Sequence, residues 1–125
     1  MIVDTNALSA IADERDRIRA VLGTAAGIAV PVIAIGEYRS GIARSHNFLR
    51  YRQWLDEFIL AARVLDVDES TTRCYADISL ELRQARRPIP TNDIWIAALC
   101  RQHDLPLLSR DRHSDTVSGI ERLEW

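Results

Sequence analysis

The chain has 125 residues with 18 acidic and 16 basic side chains, a formal charge of −2, and every one of the 16 cations is arginine. The absence of lysine excludes a Walker-type phosphate loop, a Schiff base and a lysine general base. At 47% hydrophobic and 27% charged residues the composition is that of a globular chain. Its length suits one domain over residues 1–125, burying roughly two-thirds of the unfolded surface without disulfide or metal staples. The mildly acidic balance does not advertise an anionic partner.

In chain order, Met1-Ile2-Val3 is a short apolar opening stopped by Asp4 and reads as a buried strand rather than a secretory signal. Asn6 is placed to cap a helix from Ala7 to Ala12, and an arginine-rich helix follows to Leu22. Gly23 and Gly27 bracket a turn before a second strand, Ile28-Ala29-Val30, which Pro31 stops. Helical spacing resumes from Ile33 to Arg44. Phe48 to Ala62 is amphipathic, with Leu49, Trp54, Leu55, Phe58 and Ile59 on its apolar side. A third strand is expected at Val64–Val67, then a helix capped by Asp68 and running to Ala85. The loop Arg86-Arg87-Pro88-Ile89-Pro90 is stiff, and Thr91-Asn92-Asp93 opens a helix through Cys100. Leu105–Ser109 and Ile120–Leu123 complete five strands. No apolar run is long enough to span a bilayer, so a cytoplasmic location is expected. Cys74 and Cys100 lack the spacing of a metal or redox motif and read as buried thiols.

Short apolar strands alternating with helices imply an α/β fold with a mainly parallel sheet covered on both faces. Sites in such sheets form beyond the carboxyl ends of strands. Asp4 ends the first strand, Asp111 follows the fourth by two residues, and Asp93 lies in the first turn of the helix leading into it. Glu37 joins them if its helix points inward. Taken singly, each is an ordinary capping, turn or solvated residue; together they are restrictive. Two like charges about 5 Å apart repel by roughly 3 kcal/mol at an effective dielectric of 20, so a converging set requires a cation or raised pKa values. The donors are hard oxygens without paired His or Cys ligands, which favours Mg²⁺ or Mn²⁺ over Zn²⁺. His46, His103 and His113 show no metal-ligand spacing, and Trp54 and Trp95 read as core or dimer-contact residues.

Four segments carry a family resemblance: Val3-Asp4-Thr5-Asn6, Gly36-Glu37-Tyr38-Arg39-Ser40-Gly41, Ile89-Pro90-Thr91-Asn92-Asp93 and Leu107-Leu108-Ser109-Arg110-Asp111-Arg112-His113. Their order and spacing resemble the PIN-domain ribonucleases, most closely the VapC-type toxins of bacterial toxin–antitoxin pairs. The resemblance implies a PIN-like three-layer sandwich of about five short strands flanked by helices. It implies Asp4, Glu37, Asp93 and Asp111 as catalytic metal ligands, supported from behind by Thr5, Asn6, Asn92 and Ser109. Asp115 is either an outer negative charge or a capping residue. Ser109 stands where the family usually has threonine, which keeps the hydroxyl, and Ser114 where an aromatic often follows.

The implied activity is Mg²⁺-dependent hydrolysis of RNA by metal-activated water; the residues do not separate ligand from base. The implied partners are an RNA substrate, a VapB-like antitoxin and a second copy of the chain, assembled as a heterotetramer or larger. Arg39, Arg86, Arg87, Arg110 and Arg112 surround the expected site and suit phosphate binding; as solvated or intramolecularly paired charges they are equally ordinary. The missing lysine argues against a phosphoacceptor receiver domain, whose length and acidic Mg²⁺ pocket are otherwise similar. Two alternatives stay open: a PIN nuclease outside toxin–antitoxin pairing, and an inactive PIN-like binding module.

Overall fold

The computed structural model describes residues 1–125. Its elements follow the order β1 (Ile2–Val3), α1 (Thr5–Ala12), α2 (Asp16–Leu22), β2 (Ala29–Pro31), α3 (Val32–Ile42), α4 (Phe48–Ala61), β3 (Arg63–Leu65), α5 (Glu69–Gln84), α6 (Thr91–His103), β4 (Leu107–Leu108), a 3-10 turn (His113–Thr116) and β5 (Arg122–Leu123). The five strands form one sheet in the order β3-β2-β1-β4-β5, every pair parallel. All five expected strands are present; they are shorter than the apolar runs that announced them.

Side chains alternate across a strand, so each short apolar pair serves two faces. Val3, Val30 and Leu108 pack with Leu8, Ile18, Tyr38 and Leu55 from α1 to α4. Ile2, Ala29 and Leu107 turn the other way, onto Ile96, Leu99 and Cys100 of α6. A third apolar cluster, Ile78, Leu82, Ala97, Ala98 and Val117, locks α5 against α6. The result is the expected three-layer α/β sandwich. Both cysteines are free, with Cys100 buried and Cys74 half-buried; burial pushes the Cys100 thiol up to about 12.

Two local expectations are corrected. The α1 cap is Asp4, whose Oδ1 accepts the Ala7 N–H at 2.8 Å, so the helix begins at Thr5, and Asn6 lies inside the first turn. The chain thus passes from β1 into α1 through a single carboxylate. On α4, Leu49 is 74% exposed rather than part of the apolar side. The inward stripe is Phe48, Tyr51, Trp54, Leu55, Phe58 and Ile59, whose three- and four-residue steps put Leu49 on the opposite face with Arg52, Asp56 and Leu60. Trp54 stacks on Phe58 at 5.0 Å and Trp95 on Tyr75 at 4.0 Å, both half-buried.

The α5 start is reinforced as expected by Asp68, which accepts the Thr71 N–H while the Thr71 hydroxyl accepts the Asp68 N–H. α5 ends where Arg86 adopts the left-handed conformation, φ 53°, and Arg87 N–H returns to the Leu82 carbonyl at 3.0 Å. This reversal, followed by Pro88 and Pro90, delivers Asp93 to the first turn of α6.

Candidate metal centre

The chain reverses its direction of travel across the sheet between β1 and β4: β2 and β3 lie on one side of β1, β4 and β5 on the other. At such a switch point the connections leave in opposite directions and open a crevice beyond the carboxyl strand ends. The register pairs Val3 with Leu108, so the next residues, Asp4 and Ser109, emerge side by side. The Ser109 hydroxyl donates to Asp4 Oδ2, and its oxygen accepts the Asp111 N–H at 2.9 Å. One hydroxyl therefore fixes the first acidic residue and the turn that carries the last.

Asp4 is only 8% exposed. Burial holds its carboxyl above the ordinary aspartate range. The hydrogen bonds from Ser109 and from the Ala7 N–H oppose that shift, while the negative fields of Asp93 and Asp111 add to it. Opposite Asp4, the Asp111 Oδ1 accepts the His113 N–H at 2.9 Å in a tight local turn. That turn brings His113 Nδ1 to 2.7 Å from Asp93 Oδ2 and 3.0 Å from Asp111 Oδ2. Ligand atoms of Asp93, Asp111 and His113 lie within 4.8 Å of one another.

A buried carboxylate with two further carboxylates acting on it fits a divalent cation. The convergent ligand atoms are two carboxylates and the His113 nitrogen beside that buried carboxylate, a mixed oxygen–nitrogen set of the kind divalent cations accept. The position of His113 was not legible from spacing to another histidine or cysteine. The signal lay in its place two residues after Asp111, where a side-chain-capped turn folds back on itself.

The other expected site residues divide into two groups. Glu37 is half-buried on α3 and lines a cavity of about 280 Å³ with Thr5, Tyr38 and Tyr51; it is outside the group formed by Asp93, Asp111 and His113. The buried Thr5 and Tyr38 hydroxyls have no hydrogen-bond partner. Asn6 is exposed and borders a second cleft with Asp111, while Asn92 is exposed in the first turn of α6. Asp115 is bound by Arg122, at 2.6 Å through Nε and 3.1 Å through a terminal nitrogen, and these bonds hold its carboxyl below the ordinary range. Arg122 also donates to the Ser109 carbonyl at 3.0 Å. Asp115 thus acts through an arginine that braces the β4 end.

Among the arginines, Arg39 pairs with Asp56 at 3.3 Å across α3 and α4. Arg86, Arg87 and Arg112 are exposed, and Arg110 lies 4.8 Å over the Trp125 ring.

Fold and site together define an α/β protein with an acidic centre at the switch point of a parallel sheet. The PIN domain family model matches residues 1–120, and the chain belongs to that family. It is 30% identical over 94 residues to Ribonuclease VapC4 of Mycobacterium tuberculosis, covering 74% of this chain and 72% of the relative. To Ribonuclease VapC5 of the same organism it is 26% identical over 99 residues, 78% and 73% of the two chains. The fold is shared with the VapBC2 complex from Rickettsia felis bound to a promoter DNA fragment, at a TM-score of 0.89 and 21% identity over 99% and 97% of the chains. It is equally close to the DNA-bound VapBC complex from Salmonella typhimurium, at 0.88 and 23% over 99% and 96%. No helix is long and apolar enough to cross a membrane.

Proposed function

We propose that residues 1–125 act as one PIN domain, a Mg²⁺-dependent ribonuclease toxin that works in the cytoplasm and is held inactive by a cognate antitoxin. The observation that carries this reading is the placement of Asp4, Asp93 and Asp111 around the β1–β4 crevice, with Asp4 buried. The relatives named as VapC ribonucleases support the RNA substrate, and the VapBC complexes among the structural neighbours support a VapB-like partner. A toxin homodimer within a larger toxin–antitoxin assembly is part of this reading.

Asp4, Asp93 and Asp111 would hold the cation, with Glu37 completing the set from α3. A divalent cation such as Mg²⁺, or Mn²⁺ in its place, held there would neutralise charge on the scissile phosphate and lower the pKa of water enough for attack near neutral pH. The chain's own contribution is positional. Ser109 holds the Asp4 carboxylate and the Asp111 backbone N–H through one hydroxyl, tying the two strand ends together. His113 Nδ1 draws one oxygen of Asp93 and one of Asp111 to a common point. Arg122 fixes the Ser109 carbonyl and neutralises Asp115, so that Asp115 adds no unpaired charge to the crevice. Attack by water in line with the departing ribose oxygen leaves 5′-phosphate and 3′-hydroxyl ends.

The test is cleavage of single-stranded RNA by the purified chain with Mg²⁺. The expected result is loss of cleavage with EDTA, recovery on adding Mg²⁺ back, and loss of at least about 100-fold in Asp4→Asn, since one carboxylate contributes several kcal/mol of charge stabilisation through the cation. Undiminished cleavage in both arms overturns the reading.

A further inference from the structure

A second cleft of about 320 Å³ opens beside the acidic centre, bordered by Asn6, Arg15, Arg110, Asp111 and Trp125. Its chemistry is the reverse of its neighbour's. Arg110 makes no ion pair; its guanidinium is held by the Trp125 ring at 4.8 Å, which leaves all its N–H donors free. Arg15 approaches Asp13 Oδ2 only to 3.6 Å, beyond hydrogen-bond reach. Trp125 Nε1 is buried and has no acceptor. A buried indole N–H without a partner is costly, and Trp normally finds one. The Asp111 carboxylate on the cleft wall has its oxygens engaged by His113.

The Arg110 guanidinium, free of ion pairs, borders this space together with Arg15, only loosely paired with Asp13, and the Asn6 amide. They call for an anion with several acceptor oxygens, and guanidinium forks match phosphate in geometry. Because Asp111 forms the shared wall, a ligand in this cleft lies next to whatever the acidic centre holds. We infer that the Arg15–Arg110–Trp125 cleft binds the RNA backbone phosphate adjoining the scissile one, and so sets the register of the strand across the acidic centre. This rests on the ribonuclease reading above. A carboxylate-bearing peptide also supplies acceptors, but it has no reason to lie against Asp111, whereas a strand whose scissile phosphate sits there must pass this wall. Arg15 enters the RNA footprint by this argument alone, since neither its sequence neighbourhood nor its spacing marked it.

The experiment uses the Asp4→Asn chain, so that RNA stays intact, and a short fluorescent single-stranded RNA whose anisotropy is followed over a range of salt concentrations. Neutralising both arginines (Arg15→Gln with Arg110→Gln) should lower the slope of log affinity against log salt by about 0.7, the value for one lost phosphate contact on a single strand. Arg15→Gln alone, at an exposed position, should remove about half of that and guards against misfolding of the double variant. Trp125→Phe keeps a ring under Arg110 and removes the N–H. It should leave affinity and slope near the parent values, because the indole N–H is buried away from the cleft and the ring beneath Arg110 is kept. Arg73→Gln, whose parent guanidinium is engaged by Glu69 at 3.0 Å on α5, should leave the slope unaltered. An unchanged slope in the double variant overturns the assignment, as does loss of binding to a polyglutamate peptide with RNA binding intact. Failure of the underlying reading is separately visible, as RNA left uncut by the parent chain.

Discussion

Asp4 closes β1, caps α1 through the Ala7 N–H, takes the Ser109 hydroxyl from β4 and faces two further carboxylates. Concentrating these roles in one buried side chain has a thermodynamic consequence. Its folded pKa lies above the ordinary value of 3.8, so over that interval the folded chain binds more protons than the unfolded chain. Stability from this group is present at low pH and is lost as pH rises through the folded pKa; at neutral pH the unmetallated carboxylate is a net penalty. Asparagine keeps an oxygen for the Ala7 N–H and discards the charge. Metal-free Asp4→Asn should therefore melt above the parent at pH 7, with the gap closing as pH falls towards the ordinary aspartate range. A lower melting temperature at pH 7 contradicts this assignment. Function and stability then pull apart at this position, as they often do at catalytic sites.

At the scale of elements, α4 separates side chains that composition alone treats alike. Leu55 is fully buried between the sheet and α1, and Leu49 is 74% exposed. Leu55→Ala should cost about 2–5 kcal/mol in urea unfolding, while Leu49→Ala should stay within about 0.5 kcal/mol. Comparable losses contradict the placement of the inward stripe.

The same helix shows why legibility differed along the chain. Apolar runs such as Ile28-Ala29-Val30 announce strands because a strand buried on both faces needs no alternation. Leu49, one residue from Phe48, differs from it by a rotation of about 100°, which single-residue counting on a mixed helix does not resolve. The cap of α1 was misplaced by two residues because Asp4 and Asn6 are both good capping residues, and only the β1 register decides between them. Asp4, Asp93 and Asp111 were noticed because each lies at or next to the end of an element, whereas Glu37, in the middle of α3, came forward only through the family resemblance. His113 and Arg122 were not: their roles depend on a turn of a few residues folding back on Asp111, and on an arginine meeting Asp115 across seven residues. Trp125 and Arg15 were dark for a related reason, since their cleft is assembled from α1, the segment before α2, the β4 loop and the final residue.

For the molecule as a whole, the charge of −2 conceals a division of labour. The 18 acidic residues less Asp4, Glu37, Asp93 and Asp111 leave 14 against 16 arginines, so the remainder is slightly basic. The acidity is concentrated where a cation would offset it, beside a donor-rich cleft suited to phosphate. Arginine alone supplies that basic remainder, and its planar fork suits backbone contacts. The all-arginine composition that first excluded lysine chemistry thus fits the RNA reading without carrying it; a composition bias of the genome yields the same count. What carries the account is the claim that the crevice at the β1–β4 switch point binds a divalent cation through these carboxylates. The most direct measurement is calorimetric titration of Mn²⁺ into the parent chain, Asp4→Asn and Asp111→Asn at pH 7. The account predicts saturable binding to the parent and at least about tenfold weaker binding to each variant, a loss of about 1.4 kcal/mol or more. Equal Mn²⁺ affinity in all three chains would contradict it.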